Sequence, residues 1–262
     1  MNMENGTNDP LSPVRLLSLG DTAWTVEFGE VIDPVLHGRV LGLAGELESR
    51  REASGSPFAA VVDVVPTFRS LTVHYDPLRC DGQRLGEELL ALARSSGSAG
   101  TSGRRWRIPV CFDADFAPDL ADLAQSKGLL PEDVIARLTA TEFQVYLIGF
   151  MPGFPYMGGL PVELQMPRLS SPRKAVPERS LAVAGEMCAV YPWESPGGWR
   201  LLGRTPVPLF RAAESEPALL ASGDRVRWHA IDRATYLDLE AAGQAGLLER
   251  RQFLAADVGE LS

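Results

Sequence analysis

The sequence predicts two domains of different class, an α+β domain followed by a mainly-β barrel domain. A length of 262 residues is long for a single domain and suits two. The stretch SSGSAGTSG, residues 95–103, is small, uncharged and without periodicity, which is typical of a linker. Strand-like and helical segments alternate before this stretch. After it, from Val145 to about Ala230, short apolar runs alternate with Pro and Gly, a pattern typical of a closed, loop-rich β-barrel.

The predicted N-terminal domain, residues 13–94, contains two strand pairs, each followed by a helix. Its strand-like runs are VRLLSLG, AWTVEFG, FAAVVDVV and SLTVHY. Asp33-Pro34 begins the first helix, with Asp33 as N-cap, and we expect His37 on this helix to lie at the surface. A second helical stretch is predicted from Asp76-Pro77 to about Arg94. Residues 1–12 are predicted to be disordered.

A linker is predicted over residues 95–104, a barrel domain over 105–243 and a C-terminal tail over 244–262. The barrel domain opens with the alternating strand RRWRIPVCF. Two short helices follow, PDLADLAQSKG, which ends at Gly128, and PEDVIARLTATEF. The remaining strand-like runs are QVYLIGF, SLAVAGEMCAVYP, WRLLGRTPVPLF and DRVRWHAI, and the last helix is ATYLDLEAA.

Composition argues against several classes of protein. A net charge of −9 disfavours a nucleic-acid partner, because phosphates would be repelled. No apolar run approaches the roughly 18 residues that a membrane helix needs, and MNMENGTNDPLSP lacks the features of a signal peptide, so we expect a cytoplasmic protein without a membrane partner. The three cysteines Cys80, Cys111 and Cys188 have no metal-ligand spacing, so no metal site is predicted and each is expected to be buried or half-buried.

The segment GFMPGFPYMGGLP, residues 149–161, combines seven Gly or Pro residues with large apolar side chains. Glycines permit positive φ angles and prolines stiffen the path, so the segment predicts a rigid apolar loop. Such a loop can form one wall of a pocket, with Phe154 and Tyr156 as its rings. The alternative is a structural crossover that only buries these aromatic side chains.

A basic region follows this segment. Between Leu164 and Arg211 the chain has seven basic and three acidic side chains, although the whole protein is acidic. Arginines concentrated in this way suggest an anionic ligand, a carboxylate or a phosphate. The alternative is that they are solvated at the barrel rim or form ion pairs with acidic residues elsewhere. In SPGGW, Pro196-Gly197 fits a type II turn, and Trp199 is interpreted as a core residue rather than a stacking platform.

Common catalytic motifs are missing from the sequence. It contains no GxxxxGK[ST] phosphate loop, no GxSxG elbow and no HExxH helix. No nucleophile–base pair can be identified, so the catalytic residues stay unknown. From the residues alone, the chain is predicted to be a two-domain protein with an anion pocket.

Several long motifs occur in an order that resembles one family. GFMPGFPYMGGLP, PRLSSPRKAVP, AVAG, YP, SPGGWRLLGRTP and LF are similar to the PxpB/KipI family, also called allophanate hydrolase subunit 1. The earlier segments GDTAWTVEFG, VHYDP and PVCFDADFAPDL are similar to landmarks of the same family. The resemblance covers roughly residues 14–232.

The resemblance implies an α+β domain joined to a cyclophilin-like β-barrel. It further implies a B subunit of an ATP-dependent 5-oxoprolinase, which opens 5-oxo-L-proline to L-glutamate and is inactive alone. The expected partners are a C-type (KipA/PxpC-like) and an A-type (PxpA-like) subunit, and ATP with Mg is expected at the level of the complex, without a recognisable binding motif in this chain. The alternatives are a KipI-like regulator that inhibits a sensor histidine kinase, and a urea-carboxylase or allophanate-type subunit.

On this basis three arginines and three rings are predicted to share one cleft. Arg168, Arg173 and Arg204 would bind the substrate or an anion, and Phe154, Tyr156 and Trp199 would form the wall. Such arginines would stabilise charge that develops when a lactam oxygen is phosphorylated.

The chain departs from the family pattern in two places. It reads VPERSLAVAG where VPaGSVaIAG is usual, so Glu178-Arg179 replaces a small Ala-Gly turn. Met187 and Cys188 stand at the usual Gln and Thr, which removes two hydrogen-bonding side chains from the expected pocket lip. Either the ligand differs from that of the family or these side chains are not essential, and the fold is not in question.

Overall fold

A computed structural model describes residues 14–53, 55–97 and 103–255. Contacts divide the chain into two compact units, Met1–Ser102 and Gly103–Ser262. The predicted disordered segment 1–12 lies outside the described residues, as do residues 98–102 of the predicted linker. An α+β first unit and a mainly-β second unit confirm the predicted fold class.

The first unit is a four-stranded sheet with two helices. Its elements are β1 Arg15–Ser18, β2 Ala23–Glu27, α1 Pro34–Arg51, β3 Val61–Pro66, β4 Ser70–Tyr75 and α2 Gly82–Ser95. The strand order is β1-β2-β4-β3 and every pair is antiparallel. Leucines of α1 and α2 pack with β2 and β4 side chains into one core, because both helices carry their apolar residues at helical spacing.

Both helices of this unit begin at an aspartate. Asp33 accepts hydrogen bonds from the backbone N–H groups of Val35 and Leu36, as predicted. The predicted start of α2 at Asp76-Pro77 is wrong, because Asp81 caps the helix through the N–H groups of residues 83 and 84. The prediction that His37 lies at the surface is also wrong, since it is fully buried. It is one of the buried residues of α1, together with Leu36 and Val40.

The second unit is a closed barrel with three helices. Its strands are β5 Arg105–Cys111, β6 Glu142–Ile148, β7 Pro155–Gly158, β8 Arg173–Val176, β9 Ser180–Ala184, β10 Met187–Val190, β11 Ser195–Gly197, β12 Arg200–Arg204 and β13 Arg225–Ile231. Its helices are α3 Leu120–Lys127, α4 Pro131–Ala140 and α5 Arg233–Gln244, with short 3-10 helices at Val162–Leu164 and Arg250–Phe253. Gly128 ends α3 in the left-handed conformation, as predicted.

The barrel closes in the order β10-β7-β6-β13-β5-β12-β9, and β9 pairs with β10. Only the pair β5 and β13 is parallel among the barrel pairs of the described residues. Alternate residues of each strand point inward, including Trp106, Ile108 and Val110 of β5 and Trp228 of β13. The strands β8 and β11 form a separate two-stranded ribbon outside the barrel.

The predicted C-terminal tail, 244–262, has a described part that packs on the barrel unit. Leu248 is buried, and the buried Arg250 donates to the backbone oxygens of Pro217 and Glu216. Leu254 forms an antiparallel bridge with Trp106 of β5. Among the helices of the described residues, none has both the length and the apolar character that crossing a bilayer requires.

Candidate functional site

The proline- and glycine-rich segment forms the hairpin between β6 and β7. Ile148 pairs with Pro155, and the loop closes through hydrogen bonds from Gly149 N–H to the Phe154 oxygen and from Phe154 N–H to the Met151 oxygen. Phe150 and Gly153 adopt positive φ angles of 69° and 79°. A side chain at Gly153 would also meet Phe210, so glycine is needed there for both reasons. This hairpin holds Phe154 and Tyr156 in fixed positions.

Four aromatic rings form a cluster, called here the aromatic wall: Phe154, Tyr156, Tyr191 and Trp199. The centroid of the Phe154 ring lies 4.9 Å from that of Tyr156, 5.2 Å from Tyr191 and 6.0 Å from Trp199. The contacts with Tyr191 and Trp199 are edge-to-face, a favourable geometry for aromatic pairs. The three rings predicted from the sequence therefore lie together, and Tyr191 joins them.

The aromatic wall packs on the outside of the barrel. Strands β9, β10 and β12 are buried on both faces, because one set of side chains fills the barrel and the alternate set meets the wall. Ala182, Ala184 and Ala189 of that outer set are small and leave room for the rings. Trp199 is only 6% exposed, which confirms its interpretation as a core residue.

The ribbon β8–β11 lies beside the wall. Pro196 and Gly197 belong to strand β11 rather than to the predicted type II turn, and Gly197 has no positive φ angle. A Cβ atom on Gly197 would overlap the phenol group of Tyr191, so glycine is needed here for close approach. Burial raises the pKa of Tyr191, although a backbone hydrogen bond from Trp199 and the nearby Arg168 oppose the shift.

Arg168 is the exposed cation at the edge of the wall. Its guanidinium carbon lies 5.8 Å from the centroid of the Trp199 ring. Burial raises the pKa of Tyr156 while Arg168 lowers it, which places the guanidinium within electrostatic reach of that phenol. No acidic side chain of the described residues pairs with Arg168. Its charge is therefore available to an external anion.

Arg173 reaches the same rings but is held by a buried acid. Its guanidinium donates to Asp119 Oδ1 at 2.6 Å and to the backbone oxygen of Trp199 at 3.3 Å. The other oxygen of Asp119 accepts the N–H of Leu201 at 2.6 Å. Asp119 is 7% exposed, so this pair is partly shielded from solvent. Arg173 consequently positions the Trp199 backbone, and part of its charge is balanced within the chain.

Arg204 is not beside the aromatic wall. It ends β12 while Trp199 precedes that strand, so about 16 Å of extended chain separates the two. Its guanidinium carbon lies 5.0 Å from the ring of Phe116, and its charge acts on Tyr236, whose pKa burial raises to about 12. The structure therefore brings together five of the six predicted site residues and places the sixth elsewhere.

The other three arginines of the predicted basic region have acidic partners. Arg179 pairs with Glu240 at 2.7 Å, Arg200 with Asp122 at 2.5 Å, and Arg211 with Glu214 at 3.1 Å. These contacts favour the ion-pair interpretation for this part of the region. Among the described residues, no group of three or more His, Cys, Asp or Glu side chains has the arrangement of a metal site.

One departure from the family pattern lies in a turn with a positive φ angle, and the other lies in strand β10. Arg179 adopts a positive φ angle of 64°, the conformation that glycine favours, at the position where the family pattern has glycine. Cys188 is fully buried in the barrel core, so the expectation that it lines a pocket lip is wrong. Burial raises the pKa of the Cys188 thiol far above its ordinary value. Met187 is half-buried and does border the aromatic wall.

Two residues of this site were not selected from the sequence. Asp119 lies in PVCFDADFAPDL and Tyr191 in YP, two of the segments that resemble the family. Their position in segments that resemble the family was the sequence signal that could have identified them as site residues. Their roles depend on contacts with Arg173 and Phe154, which are distant in sequence.

Comparison with known proteins identifies the family. Residues 14–220 match the model of the carboxyltransferase domain, subdomain C and D. The B subunit of the 5-oxoprolinase of Bacillus subtilis (strain 168) is 37% identical over 236 residues, which cover 85% of this chain and 95% of that protein.

Solved structures show the same architecture. TTHA0988 superposes with a TM-score of 0.69 and 34% identity over 80% of this chain, which matches 40% of the length of TTHA0988. The Kluyveromyces lactis urea amidolyase shares the fold with a TM-score of 0.71 at 18% identity, over 94% of this chain and 16% of that protein. With matches of this extent, the resemblance seen in the sequence motifs is confirmed, and the chain belongs to the PxpB/KipI family of 5-oxoprolinase B subunits.

Proposed function

We propose that this chain is the B subunit of an ATP-dependent 5-oxoprolinase that converts 5-oxo-L-proline to L-glutamate. The observation that carries the proposal is the 37% identity to the B subunit of the Bacillus subtilis enzyme along 95% of that protein. In this proposal the subunit is inactive alone and works with C-type and A-type partners. ATP with Mg²⁺ belongs to the assembled complex.

The aromatic wall and Arg168 are the contribution we assign to this subunit. The wall is rigid, since its rings pack on one another and on a barrel face. Arg168 stands at its edge without an acidic partner among the described residues, and Arg173 is fixed beside it by Asp119. Phe154, Tyr191 and Trp199 are buried, so the half-buried Tyr156 is the ring that can offer an apolar face beside Arg168. An apolar ring next to a free guanidinium suits a small cyclic acid, because the acid's ring packs on the apolar group and its carboxylate binds the cation.

The chemistry of the reaction fits a positive charge at this place. A lactam carbonyl is a poor electrophile, and transfer of a phosphoryl group to its oxygen creates a leaving group. Negative charge then develops on the transferring group, where a guanidinium stabilises it. Arg168 would bind either this charge or the substrate carboxylate. Arg204 lies by a different ring, Phe116, and we leave it out of this site.

The test is reconstitution of the complex. The chain is co-expressed with C-type and A-type partner subunits, and glutamate release from 5-oxoproline is measured with and without ATP. We expect release only when all subunits and ATP are present. Arg168→Gln is expected to lower kcat/KM at least tenfold, because one charge-assisted hydrogen bond contributes about 1.5–3 kcal/mol.

A matched control separates this effect from a change in net charge. Arg84 on α2 is exposed, and its side chain has no acidic partner among the described residues. Arg84→Gln therefore removes one positive charge, as Arg168→Gln does, but at a residue of the first unit. We expect this variant to keep full activity. If Arg168→Gln retained full turnover in an active complex, the assignment of Arg168 would be wrong while the function itself stood.

A second candidate function is supported by the family model. Its description, carboxyltransferase domain, favours a urea-carboxylase or allophanate-type subunit. Turnover of a urea-derived acid by the reconstituted complex, with none of 5-oxoproline, would favour this candidate. The third possibility, inhibition of a sensor histidine kinase, stays a prediction from the resemblance alone.

A further inference from the structure

A group of arginines lies on the outer face of the parallel strands β5 and β13. The two strands pair in register, with Arg225 opposite Arg105 and Arg227 opposite Arg107. Two residues further along β13, His229 lies opposite Pro109. Side chains two residues apart on a strand share one face, so all four arginines point to the same side. They form an array about 4.8 Å wide and about 6.6 Å long at the backbone.

These like charges lie next to one another with little compensation. Arg105, Arg107 and Arg225 have no acidic partner among the described residues, and Arg227 approaches only Glu142, at 4.0 Å. Elsewhere in the barrel unit, arginines such as Arg104, Arg233 and Arg250 each have a carboxylate partner. Like charges directly opposite on paired strands destabilise a sheet. The array therefore has a cost in stability that its own neighbours do not offset.

The four arginines line a surface groove of about 600 Å³. Its volume is in the range of small-molecule sites. His229 also lines the groove, and its Nδ1 is shielded from solvent without a hydrogen-bond partner in the described part of the chain. Burial, together with the nearby Arg107, lowers the pKa of His229, so the ring is neutral near pH 7 and adds no positive charge to the groove.

We propose that this groove, here called the arginine groove, binds a polyphosphate group of two or three linked phosphates. Arginine forks bind phosphate oxygens in pairs, and four of them in one array suit a ligand with several adjacent phosphates. A single carboxylate or phosphate would leave most of the array unbalanced. The length of the array along the strands is of the order of a short phosphate chain. The inference uses only side chains of this chain and does not rest on the proposed function.

Calorimetric titration of the whole chain with sodium tripolyphosphate tests the proposal. Measurements are made at about 0.15 M salt, where weak long-range attraction is screened. We expect binding with one site per chain, and at least tenfold weaker binding by the double variant Arg107→Gln/Arg225→Gln. The matched control is Arg84→Gln/Arg94→Gln on α2, which removes the same charge and is expected to bind as the unmodified chain does.

A second variant distinguishes geometry from charge. Arg107→Lys keeps the charge but loses the planar fork, and we expect a loss of several-fold in affinity. A circular dichroism spectrum identical to that of the unmodified chain shows that each variant is folded. Absence of binding by the unmodified chain, or equal losses in the α2 control, would overturn the proposal.

The nature of the ligand is tested in the same way. ATP that binds as tightly as tripolyphosphate indicates recognition of the phosphate chain alone, and tighter binding of ATP indicates that a nucleotide is the source. Both results support a polyphosphate site. Citrate or AMP binding as tightly as tripolyphosphate would contradict it.

The sequence continues after Ala255 with two acidic residues, Asp257 and Glu260. If the variant Asp257→Asn/Glu260→Gln bound tripolyphosphate tenfold more tightly than the unmodified chain, the groove would be assigned to these acids and the proposal would be overturned.

Discussion

A buried carboxylate ties together one end of the N-terminal sheet. Glu27 is 8% exposed and accepts hydrogen bonds from Arg15 on the neighbouring strand and from Arg69. Burial alone would raise the pKa of Glu27, but the two guanidiniums outweigh it and the pKa is lowered from 4.5. A carboxyl group with a lowered folded pKa stabilises the protein above its unfolded pKa, and this contribution is lost as the pH falls through the folded value.

Replacement of this carboxylate is expected to weaken the first unit. Glu27→Gln should lower the free energy of unfolding by about 1.5–3 kcal/mol at neutral pH, because two hydrogen bonds to a charged group lose their strength. The variant should also lose part of the pH dependence of stability that we expect below pH 4.5 in the unmodified protein. Urea denaturation at a series of pH values, followed by circular dichroism, measures both.

Glu30→Gln is the control for this prediction. Glu30 also faces Arg15, at 3.5 Å, but its side chain is 76% exposed, so its removal should change stability little. Equal losses in the two variants would show that burial of Glu27 has no special effect.

Arg179 combines an unfavourable backbone conformation with favourable side-chain contacts. Its φ angle is 64°, while its guanidinium pairs with Glu240 and donates to the backbone oxygen of Pro206. Left-handed conformations cost a non-glycine residue about 1–2 kcal/mol. The ion pair and hydrogen bond offset this cost in the native chain.

Two substitutions at this residue separate the two effects. Arg179→Gly and Arg179→Ala lose the same guanidinium contacts, but only alanine keeps a side chain in the left-handed conformation. We expect the glycine variant to be more stable than the alanine variant by about 0.5–1 kcal/mol, after the greater freedom of unfolded glycine is included. Thermal unfolding followed by circular dichroism measures the difference. If the alanine variant were the more stable one, the backbone at this position would not be strained.

At the scale of elements, the start of α2 shows why a local pattern can mislead. Asp76-Pro77 has the form of a helix start, yet Asp76 caps only a turn through the N–H of Leu78. The chain has a second capping residue, Asp81, five positions later, and the helix begins after it. Two competing caps within a few residues cannot be ranked from sequence, because packing of Leu85 and Leu89 decides which one is used.

The cap of α2 can be tested directly. Asp81→Ala should lower the free energy of unfolding by about 1 kcal/mol, since two N–H groups of the first turn lose their acceptor. Asp81→Asn keeps an acceptor oxygen and should retain most of the stability. Urea denaturation of both variants gives the comparison, and equal losses would mean that negative charge rather than capping stabilises the helix.

A second feature at the scale of elements is the apolar composition of the outer faces of β9, β10 and β12. The runs SLAVA of β9 and MCAV of β10 are apolar apart from Ser180, which is typical of strands that are buried on both sides. A barrel strand usually has one face in solvent, but here the aromatic wall covers it. The small alanines and the large rings are therefore two parts of one packing arrangement.

For the whole molecule, the cores of the described residues stay within the two units. The buried residues of the first core lie between Val26 and Ala93, and those of the barrel core lie between Trp106 and Trp228. Units with their own cores can fold alone. Expression of residues 14–97 and 103–262 as separate proteins should therefore give two folded products.

Cooperative thermal unfolding and a near-ultraviolet circular dichroism signal would establish folding of each product. The barrel unit should retain the signal of Trp106 and Trp228, which are buried in its own core. A product that shows secondary structure without cooperative unfolding would contradict this prediction.

The sequence by itself determined the fold class, most of the strands and the rigid segment 149–161, because these depend on local spacing. Alternation in RRWRIPVCF, the glycine after α3 and the prolines and glycines of residues 149–161 act through neighbours along the chain. The ordered motifs also determined the family. Phe154 and Tyr156 were predicted together from one segment, whereas Trp199 joined them only through the resemblance to the family.

Only the tertiary structure decided which charges are free. Arg173 and Arg168 look alike in PRLSSPRK, yet one meets a buried aspartate from another segment and the other does not. Arg204 lies beside Phe116, at the end of β12 that is farther from Trp199. The arginine groove likewise arises from a parallel pairing of strands more than 100 residues apart. Electrostatic partnership depends on distance in space, which local sequence patterns do not contain.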